Sequence, residues 1–390
     1  MTTSAVKTTQ TLLDALRPQR TPDQWLAHAD FDWNDLTIRA MAFGLAPQLQ
    51  RRLSAWQVDV PARASAKLKV AYVMQKRRSA AIYEQLAQVL AACPKYDLKP
   101  IVLKGAHLAA QIYAEPALRP MNDIDLLFTP DELGRAEQML RELGYGGKYK
   151  SAETGAKVVK HTSTFKRENS ADNTPNPYLS SQNERMIEPH TSLEESWFGL
   201  RVDITNGVRE RAIQTKLANH TCLVLEPVDL LLHICVHFCF HLIEGAPAFV
   251  QFSDILAITR HNETDWNAFI HRANAQNAAP FAYAALSMAQ RIIGAPVPAR
   301  VLAQLGQSTP ESFQRRIDRM GVADILHRTQ QKPLNTLRDR LQRGVKDRRV
   351  TAQWAPDWNS RLQIWRTLFD IKHSDTARLL SGQALKTTIK

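Results

Sequence analysis

The sequence predicts an α+β protein, in which a small mixed sheet lies between an N-terminal and a C-terminal helical region. Apolar residues recur at helical spacing up to about residue 95, and short strand-like runs follow between residues 96 and 208. Helical spacing then returns and continues towards the end of the chain. At 390 residues the chain exceeds the usual size of one domain, so we expect two or three packed units.

These changes of period divide the chain into five segments. Residues 1–20 are polar, and we expect them to form a mobile start. The next four segments are an N-terminal helical region, the sheet core, a C-terminal helical region and a basic helical tail, at residues 21–95, 96–208, 209–330 and 331–390.

The core begins with two predicted strands. Residues 101–103 form an apolar run between Pro100 and Gly105, which predicts a buried strand. A helix is expected at 106–114, and a second strand at 123–128. Strand, helix and strand in this order are typical of an α/β unit.

A well-marked helix follows the second strand. Thr129 is a suitable N-cap, Pro130 suits the first helical position, and Glu132 completes a capping box. Beyond this helix we expect a strand, a long mobile loop and a returning strand, at residues 157–166, 167–185 and 185–190.

Charge and composition limit the partners and the location. The formal net charge of +12 favours anionic partners, such as nucleotides or nucleic acid, without choosing among them. The four cysteines form no CxxC pair, so a reducing cytoplasm fits best. The most apolar stretch, residues 223–243, contains Glu226, Asp229 and three histidines, so we expect no membrane span.

The strongest chemical signal is the pair Asp123 and Asp125 in the second predicted strand. Alternate residues of a strand face the same side, so both carboxylates point together while Ile124 and Leu126 face the core. Two such carboxylates are unfavourable to bury without a partner, but they are well placed to share a divalent cation such as Mg²⁺. Taken alone, the pair is also compatible with two exposed aspartates at the start of a strand.

The residues before this strand strengthen the metal interpretation. The first strand runs through Lys104 into Gly105 and then into a helix. A glycine lets the backbone approach a phosphate closely, and a helix N-terminus presents free N–H groups to an anion. Arg119 follows in the loop before Asp123, so a possible phosphate-binding turn, a basic loop and paired carboxylates occur in succession.

At this point the chain resembles a known family. The segment LKGAHLAAQIYAEPALRPMNDIDLLF, residues 103–128, is similar to the signature of an uncharacterised bacterial nucleotidyltransferase family of the DNA polymerase β-like superfamily. The matching positions are Lys104, Gly105, Arg119, Pro120, Asp123 and Asp125. A second segment, MIEPHTSL, is similar to the family's strand with an acidic residue two positions before a histidine, here Glu188 and His190. It departs from the family pattern at Pro189 and Thr191.

The resemblance implies an enzyme that depends on Mg²⁺, with Mn²⁺ as the other candidate ion. Such enzymes transfer a nucleoside monophosphate from an NTP to an acceptor hydroxyl and release pyrophosphate. By resemblance, Asp123, Asp125 and Glu188 would be the catalytic carboxylates that bind the metal. The residues expected to bind the NTP are Lys104, Gly105, Arg119 and Asn122.

Several alternatives stay open. Asp203 competes with Glu188 as the third carboxylate, and Arg119 is equally compatible with a surface salt bridge. In the first functional hypothesis the acceptor is a small molecule, a peptide or a protein. In the second it is RNA, as in toxin-like modifiers of tRNA. In the third the chain binds nucleotide but has lost turnover.

A row of histidines invites a zinc interpretation. Histidines recur every four residues at positions 233, 237 and 241. Cys235 and Cys239 fall on roughly the opposite face of the same helix, so one ion cannot collect both sets of ligands. Histidines of the core or of a domain interface are the favoured interpretation.

Two features near the C-terminus remain ambiguous. Asp254 lies alone in an apolar helix and is either structural or a contact to the acceptor. The arginine-rich tail has three tryptophans nearby, which are compatible with base stacking or with packing of the last helices. These tryptophans are Trp354, Trp358 and Trp365.

Overall fold

The computed structural model describes residues 3–27, 31–149, 163–167, 185–246, 249–261, 263–329 and 337–369. Within them a mixed sheet of seven strands forms the centre, and helices cover both of its faces. The helices are α1 (Thr3–Ala15), α2 (Pro22–Leu26), α3 (Trp33–Ala42), α4 (Ala46–Ala55), α5 (Ala62–Ala92), α6 (Lys104–Gln111), α7 (Leu133–Glu142), α8 (Val208–Arg211), α9 (Pro227–Glu244), α10 (Phe249–His261), α11 (Trp266–Ala275), α12 (Ala279–Ile293), α13 (Ala299–Gln307), α14 (Glu311–Arg319), α15 (Val322–Thr329), α16 (Leu337–Ala352) and α17 (Trp358–Arg366). The strands are β1 (Ile101–Val102), β2 (Asp123–Leu127), β3 (Gly146–Tyr149), β4 (Ser163–Lys166), β5 (Met186–His190), β6 (Glu194–Trp197), β7 (Leu200–Asp203), β8 (Ile213–Leu217) and β9 (His220–Val224).

The strand order places the aspartate-bearing strand β2 beside the returning strand β5. The order in the main sheet is β3-β4-β5-β2-β1-β9-β8. β2 pairs with β5 and β1 pairs with β9 in parallel orientation, whereas the other neighbours are antiparallel. β6 and β7 form a separate antiparallel pair. The predicted α+β class with a mixed sheet agrees with this arrangement.

The sheet extends into residues that we assigned to the C-terminal helical region. β8 and β9 form a hairpin whose two turn residues, Ala218 and Asn219, have positive φ angles of 48° and 64°. Turns of this kind match the twist of hairpin strands. β9 joins the sheet by parallel pairing with β1, at Ile101 with Leu223. The predicted boundary at residue 209 is therefore too early, because pairing with a distant strand leaves no mark on local spacing.

The first helix corrects the expectation of a mobile start at residues 1–20. α1 occupies most of this segment, and Leu12 and Leu13 are buried in the helical core. The indole Nε1 of Trp25 donates a hydrogen bond to the carbonyl of Thr11 at 2.9 Å, which ties α2 to α1. The segment is polar on average, but its apolar stripe is sufficient to dock the helix.

The helix after β2 begins as predicted. The Thr129 hydroxyl accepts a hydrogen bond from the Glu132 backbone N–H, and the Glu132 carboxylate accepts one from the Thr129 N–H. This capping box encloses a short 3₁₀ turn that leads into α7. Gly144, with a φ angle of 88°, follows the end of α7 as expected of a glycine stop.

Only part of the segment between α7 and β5 can be compared with the prediction. β4 covers the last four residues of the strand predicted at 157–166. The rest of that strand, and the loop predicted at 167–185 apart from its two end residues, lie outside the described residues. β5 agrees with the returning strand predicted at 185–190.

The two faces of the sheet pack against different helices. α5 and α7 cover one face, where Ile124, Leu126 and Phe128 are fully buried. The opposite face packs against the C-terminal helical region. Leu103 and Leu127 lie in the hydrophobic core on that side of the sheet. Because β2 alternates, Asp123 and Asp125 lie on the face directed towards the C-terminal helices.

α9 is the central helix of the C-terminal region. Among the described residues it is the one helix long and apolar enough to cross a membrane, but 78% of it is buried inside the protein. It begins at the N-cap Glu226, whose carboxylate accepts hydrogen bonds from the backbone of Val228 and Asp229. It ends at Gly245, with a φ angle of 81°. This burial is that of a core helix.

Candidate functional site

The aspartates of β2 occupy the positions that the strand period predicts. Asp125 is only 2% exposed, and Asp123, at the start of the strand, is partly exposed. Their even-numbered neighbours Ile124 and Leu126 are buried on the other face. Two carboxylates therefore share one side of the sheet, inside the protein.

The parallel pairing of β2 and β5 brings a third carboxylate to the same place. Glu188 lies beside Asp125 in the register, and His190 lies beside Leu127. Asp203, the competing candidate, is exposed at the end of β7 in the separate sheet. Its carboxylate accepts a hydrogen bond from the backbone of Thr205 at 2.9 Å. The structure thus brings together Asp123, Asp125 and Glu188, which we call the carboxylate cluster.

A group of potential metal ligands combines two residues of this cluster with His190. Asp125, Glu188 and His190 are all buried, and each offers a ligand atom within 4.8 Å of the other two. His190 Nε2 lies 2.7 Å from Asp125 Oδ1. The Thr164 hydroxyl donates to Glu188 Oε1 at 3.3 Å. Asp123, which we expected in the metal site, lies two register positions away, beside Met186.

Lys104 approaches the cluster from the turn after β1. Its Nζ lies 3.0 Å from Asp125 Oδ1. Its φ angle is +40°, a left-handed conformation that residues with a side chain rarely adopt. The preceding N–H, of Leu103, donates to the carbonyl of Asp125 at 3.0 Å, so this turn is fixed directly to β2. Strain at a turn held against buried carboxylates is typical of functional sites.

The pKa values of the cluster reflect burial and the charges of neighbouring groups. Burial and the charge of Asp125 raise the pKa of Asp123 to about 7. Burial alone would raise the pKa of Asp125, but Lys104 and the hydrogen bond from His190 outweigh it and hold that pKa well below its usual range. Burial lowers the pKa of His190, so its imidazole is neutral near pH 7. The ammonium group of Lys104 thus interacts with all three carboxylates.

Arg119 lies in a second buried cluster. Its Nε and Nη2 donate to Asp254 Oδ1 and Oδ2 at 3.1 and 2.8 Å, and Asp254 is 0% exposed. The Tyr113 hydroxyl donates to Asp254 Oδ1 at 2.8 Å. Burial alone would lower the pKa of Arg119, but Asp254 outweighs it and raises that pKa. We call these three residues the arginine cluster, and it joins the sheet core to α10.

Gly105 serves the packing of this arginine. A Cβ atom at Gly105 would lie 2.6 Å from Nη1 of Arg119 and 2.8 Å from Cγ of Met121. We predicted that the glycine lets the backbone approach a phosphate, whereas the structure shows that it makes room for a guanidinium. Asn122 is exposed just before β2. Of the four residues expected to bind the NTP, Lys104 contacts the carboxylate cluster directly.

The model of one family, described as an uncharacterised nucleotidyltransferase, matches residues 29–294, which is more than half of the chain. The chain belongs to this nucleotidyltransferase family. Neither a curated protein nor a solved structure matches it. The match includes both buried charge clusters, so the family assignment and the geometry concern the same part of the molecule.

The histidine row of this nucleotidyltransferase family member has partners other than a metal ion. His237 Nδ1 lies 2.9 Å from Glu195 Oε1, and His241 Nδ1 lies 3.3 Å from Nε2 of Gln251. Cys235 is fully buried in the core. In the described part of the chain, three converging metal ligands occur at Asp125 and its neighbours rather than on α9. The interpretation as interface histidines is favoured.

The three tryptophans near the basic tail divide between packing and exposure. Trp354 is buried, where it stacks on Phe281 and meets the edge of Phe313. Trp358 is 73% exposed on α17, and Trp365 is also exposed. Packing therefore accounts for Trp354 and leaves the other two accessible to solvent.

The residues of the arginine cluster were predicted only in part. Asp254 was a candidate without an assigned partner, and Tyr113 was not among the candidate residues. The signal available was an acidic residue in an apolar helix, which requires a buried cation nearby. Arg119 was considered only for the NTP or for a surface salt bridge, and the sequence offers no measure of its distance from Asp254.

Proposed function

We propose that this family member is a metal-dependent enzyme that transfers a nucleoside monophosphate from an NTP to an acceptor hydroxyl and releases pyrophosphate. The observation that carries the proposal is the register of β2 and β5, which sets Glu188 beside Asp125, with Asp123 two residues before it. Belonging to a nucleotidyltransferase family supports the reaction class. A third carboxylate within reach of the pair argues against a member that has lost turnover.

The residues of the cluster fit a divalent cation. Their hard oxygen atoms are the ligands that Mg²⁺ and Mn²⁺ prefer. Burial and the charge of Asp125 raise the pKa of Asp123, so the ionised carboxylates disfavour one another. A cation bound between Asp125 and Glu188 would relieve that repulsion.

The chemistry requires in-line attack of the acceptor oxygen on the α-phosphorus. A bond forms between these two atoms, the bond from the α-phosphorus to the pyrophosphate oxygen breaks, and pyrophosphate leaves. When bound, divalent cations stabilise the negative charge that develops on the entering and leaving oxygens. We assign the hydroxyl proton to a carboxylate of the cluster, with Glu188, which lies beside Asp125 on β5, as the candidate.

Lys104 would neutralise part of the triphosphate charge. Its ammonium is held at Asp125 by a turn that is itself bonded to β2. A flexible lysine side chain reaches a phosphate oxygen as a point charge and needs no fixed bidentate geometry. In this proposal Arg119 stays paired with Asp254. It also packs against Gly105, in the turn that carries Lys104.

The acceptor is proposed as a class only. A small molecule, a peptide or a protein side chain carrying a hydroxyl is the first candidate. RNA is the alternative acceptor. The observation that supports it is the exposure of Trp358 and Trp365 on the basic tail, where bases could stack on them.

The proposal is tested first by nucleotide binding. Each NTP is titrated calorimetrically into the full-length protein with Mg²⁺ or Mn²⁺, and into the double variant Asp123→Ala/Asp125→Ala. We expect metal-dependent binding of one NTP and a loss of more than about 100-fold in affinity in the double variant. NTP labelled at the α-phosphorus then reports transfer to candidate acceptors, with RNA among them.

A matched pair of single variants tests the choice of the third carboxylate. Glu188→Ala should lose metal-dependent binding, whereas Asp203→Ala removes an exposed carboxylate from the separate sheet and should bind as the unmodified protein does. If a folded protein binds no NTP with either metal, the proposed function is wrong.

A further inference from the structure

We infer that His190 is a nitrogen ligand of the divalent cation, and that the site therefore prefers Mn²⁺ and similar first-row ions to Mg²⁺. This inference rests on the proposed function, because it concerns the same metal. It goes beyond the carboxylates that the family resemblance implies. Its basis is the position of His190 Nε2, 2.7 Å from Asp125 Oδ1, together with the ligand atoms that Asp125, Glu188 and His190 offer within 4.8 Å of one another.

The spacing of these atoms suits a single ion. An ion with bonds of about 2.1 Å places neighbouring ligand atoms about 3 Å apart and opposite ones about 4.2 Å apart. Asp125, Glu188 and His190 already lie near this range, so shifts below about 1 Å would bring them to one ion. All three are buried on two adjacent strands, which limits their freedom to move away.

The register favours His190 over Asp123 as the third member of this set. On β5, Glu188 and His190 are separated by one residue and point to the same face. Asp123 lies beside Met186, at the partly exposed start of β2. At that position Asp123 would face the side of the site where the nucleotide binds, whereas His190 lies on the buried side.

The imidazole is chemically ready for this role. A buried neutral imidazole offers a lone pair on Nε2 when its ring proton resides on Nδ1. Imidazole suits first-row ions such as Fe²⁺, Ni²⁺ and Zn²⁺ better than Mg²⁺, whose ligands are almost all oxygen atoms, and Mn²⁺ is the weakest binder of that first-row series. An ion held in this way would also replace Lys104 as the positive charge next to Asp125 Oδ1.

The competing role for His190 is that of an orienting group. In that case Nε2–H donates to Asp125 and remains outside the coordination sphere. The two roles differ in one measurable property, namely whether the electron spin of the metal ion couples to a nitrogen nucleus.

The test uses the full-length protein loaded with Mn²⁺, without nucleotide. Pulsed electron paramagnetic resonance should show coupling of the ion to a ¹⁴N nucleus, and the coupling should disappear in His190→Gln. Glutamine keeps an amide N–H that can donate to Asp125 but offers only an oxygen ligand. Calorimetry on the same variant should give at least a tenfold loss of Mn²⁺ affinity and less than a threefold change for Mg²⁺.

The outcomes separate this inference from the proposed function. Mn²⁺ bound at the carboxylates without nitrogen coupling overturns the inference and makes His190 an orienting group, while the proposed function stands. No binding of Mn²⁺ or Mg²⁺ by the folded protein, with or without an NTP, overturns both. The coupling is measured first on the unmodified protein, so the result does not depend on the folding of the variant.

Discussion

The arginine cluster and the carboxylate cluster both contain buried charged groups, and both were expected to serve the site, Arg119 by binding the nucleotide and the carboxylates by binding the metal, yet their charges are arranged differently. In the arginine cluster one guanidinium meets one carboxylate through two hydrogen bonds, and a tyrosine hydroxyl adds a third. In the carboxylate cluster the ammonium group of Lys104 interacts with three carboxylates. The two lie close enough for the charge of Arg119 to lower the pKa of Asp123.

The difference teaches how to distinguish a structural ion pair from a ligand site. A buried charge that is balanced and fully hydrogen-bonded holds its neighbours in place and has no need of a further ion. A buried excess of one sign is unstable unless a counter-ion is supplied, and the protein tolerates it where that ion is part of function. We therefore expect the arginine cluster to act on stability and the carboxylate cluster to act on metal binding.

The largest stability effect is expected for Asp254→Asn. The substitution leaves the guanidinium of Arg119 buried without its counter-charge, which destabilises a protein by about 3–5 kcal/mol. Urea unfolding measures the loss. The double variant Arg119→Met/Asp254→Leu should recover most of it, because two apolar side chains replace the whole pair.

The same variants can also disprove the distinction between the two clusters. If Asp254→Asn keeps its stability but loses metal or NTP binding, the arginine cluster belongs to the ligand site and our division into two clusters is wrong.

A smaller effect is expected at the glycine that contacts Arg119. Gly105→Ala places a Cβ atom 2.6 Å from Nη1 of Arg119, and overpacking of this kind destabilises by about 1–3 kcal/mol. The matched control is Gly134→Ala in α7, where nothing lies within 4 Å of the added atom. Since alanine favours helix over glycine, the control should gain about 1 kcal/mol. Equal effects of the two substitutions would contradict the packing role of Gly105.

The smallest effect concerns the pH dependence of the carboxylate cluster without metal. The folded protein raises the pKa of Asp123 to about 7 from an ordinary value of 3.8, so the carboxyl binds its proton more tightly when folded. Its contribution to stability is complete below about pH 3.8 and is lost as the pH rises through about 7. Asp123→Asn removes this loss, and should raise the Tm more at pH 8 than at pH 5.

Calorimetric scans in the presence of a chelator measure this difference, with a gain of about 2 °C expected for each kcal/mol. Asp203→Asn, at an exposed position, serves as the control and should show no such dependence on pH. A gain for Asp123→Asn that is the same at both pH values would contradict the raised pKa of Asp123.

Parts of the fold could be predicted because they depend on near neighbours in the chain. The alternation of β2 and the capping box of α7 are set by residues within a few positions of one another. β9 was missed because its strand conformation is stabilised by pairing with β1, far earlier in the chain. α1 was missed because a polar average concealed the apolar stripe that carries Leu12 and Leu13.

By itself, the sequence determined the strand with its two aspartates and the lysine–glycine turn before it. The resemblance of these features to a known family indicated the reaction class. Only the tertiary structure decided that Glu188 rather than Asp203 stands beside Asp125, that His190 joins them, and that Arg119 is paired with Asp254. The physical reason is that periodicity and capping are local, whereas the balance of buried charge depends on which distant elements lie side by side.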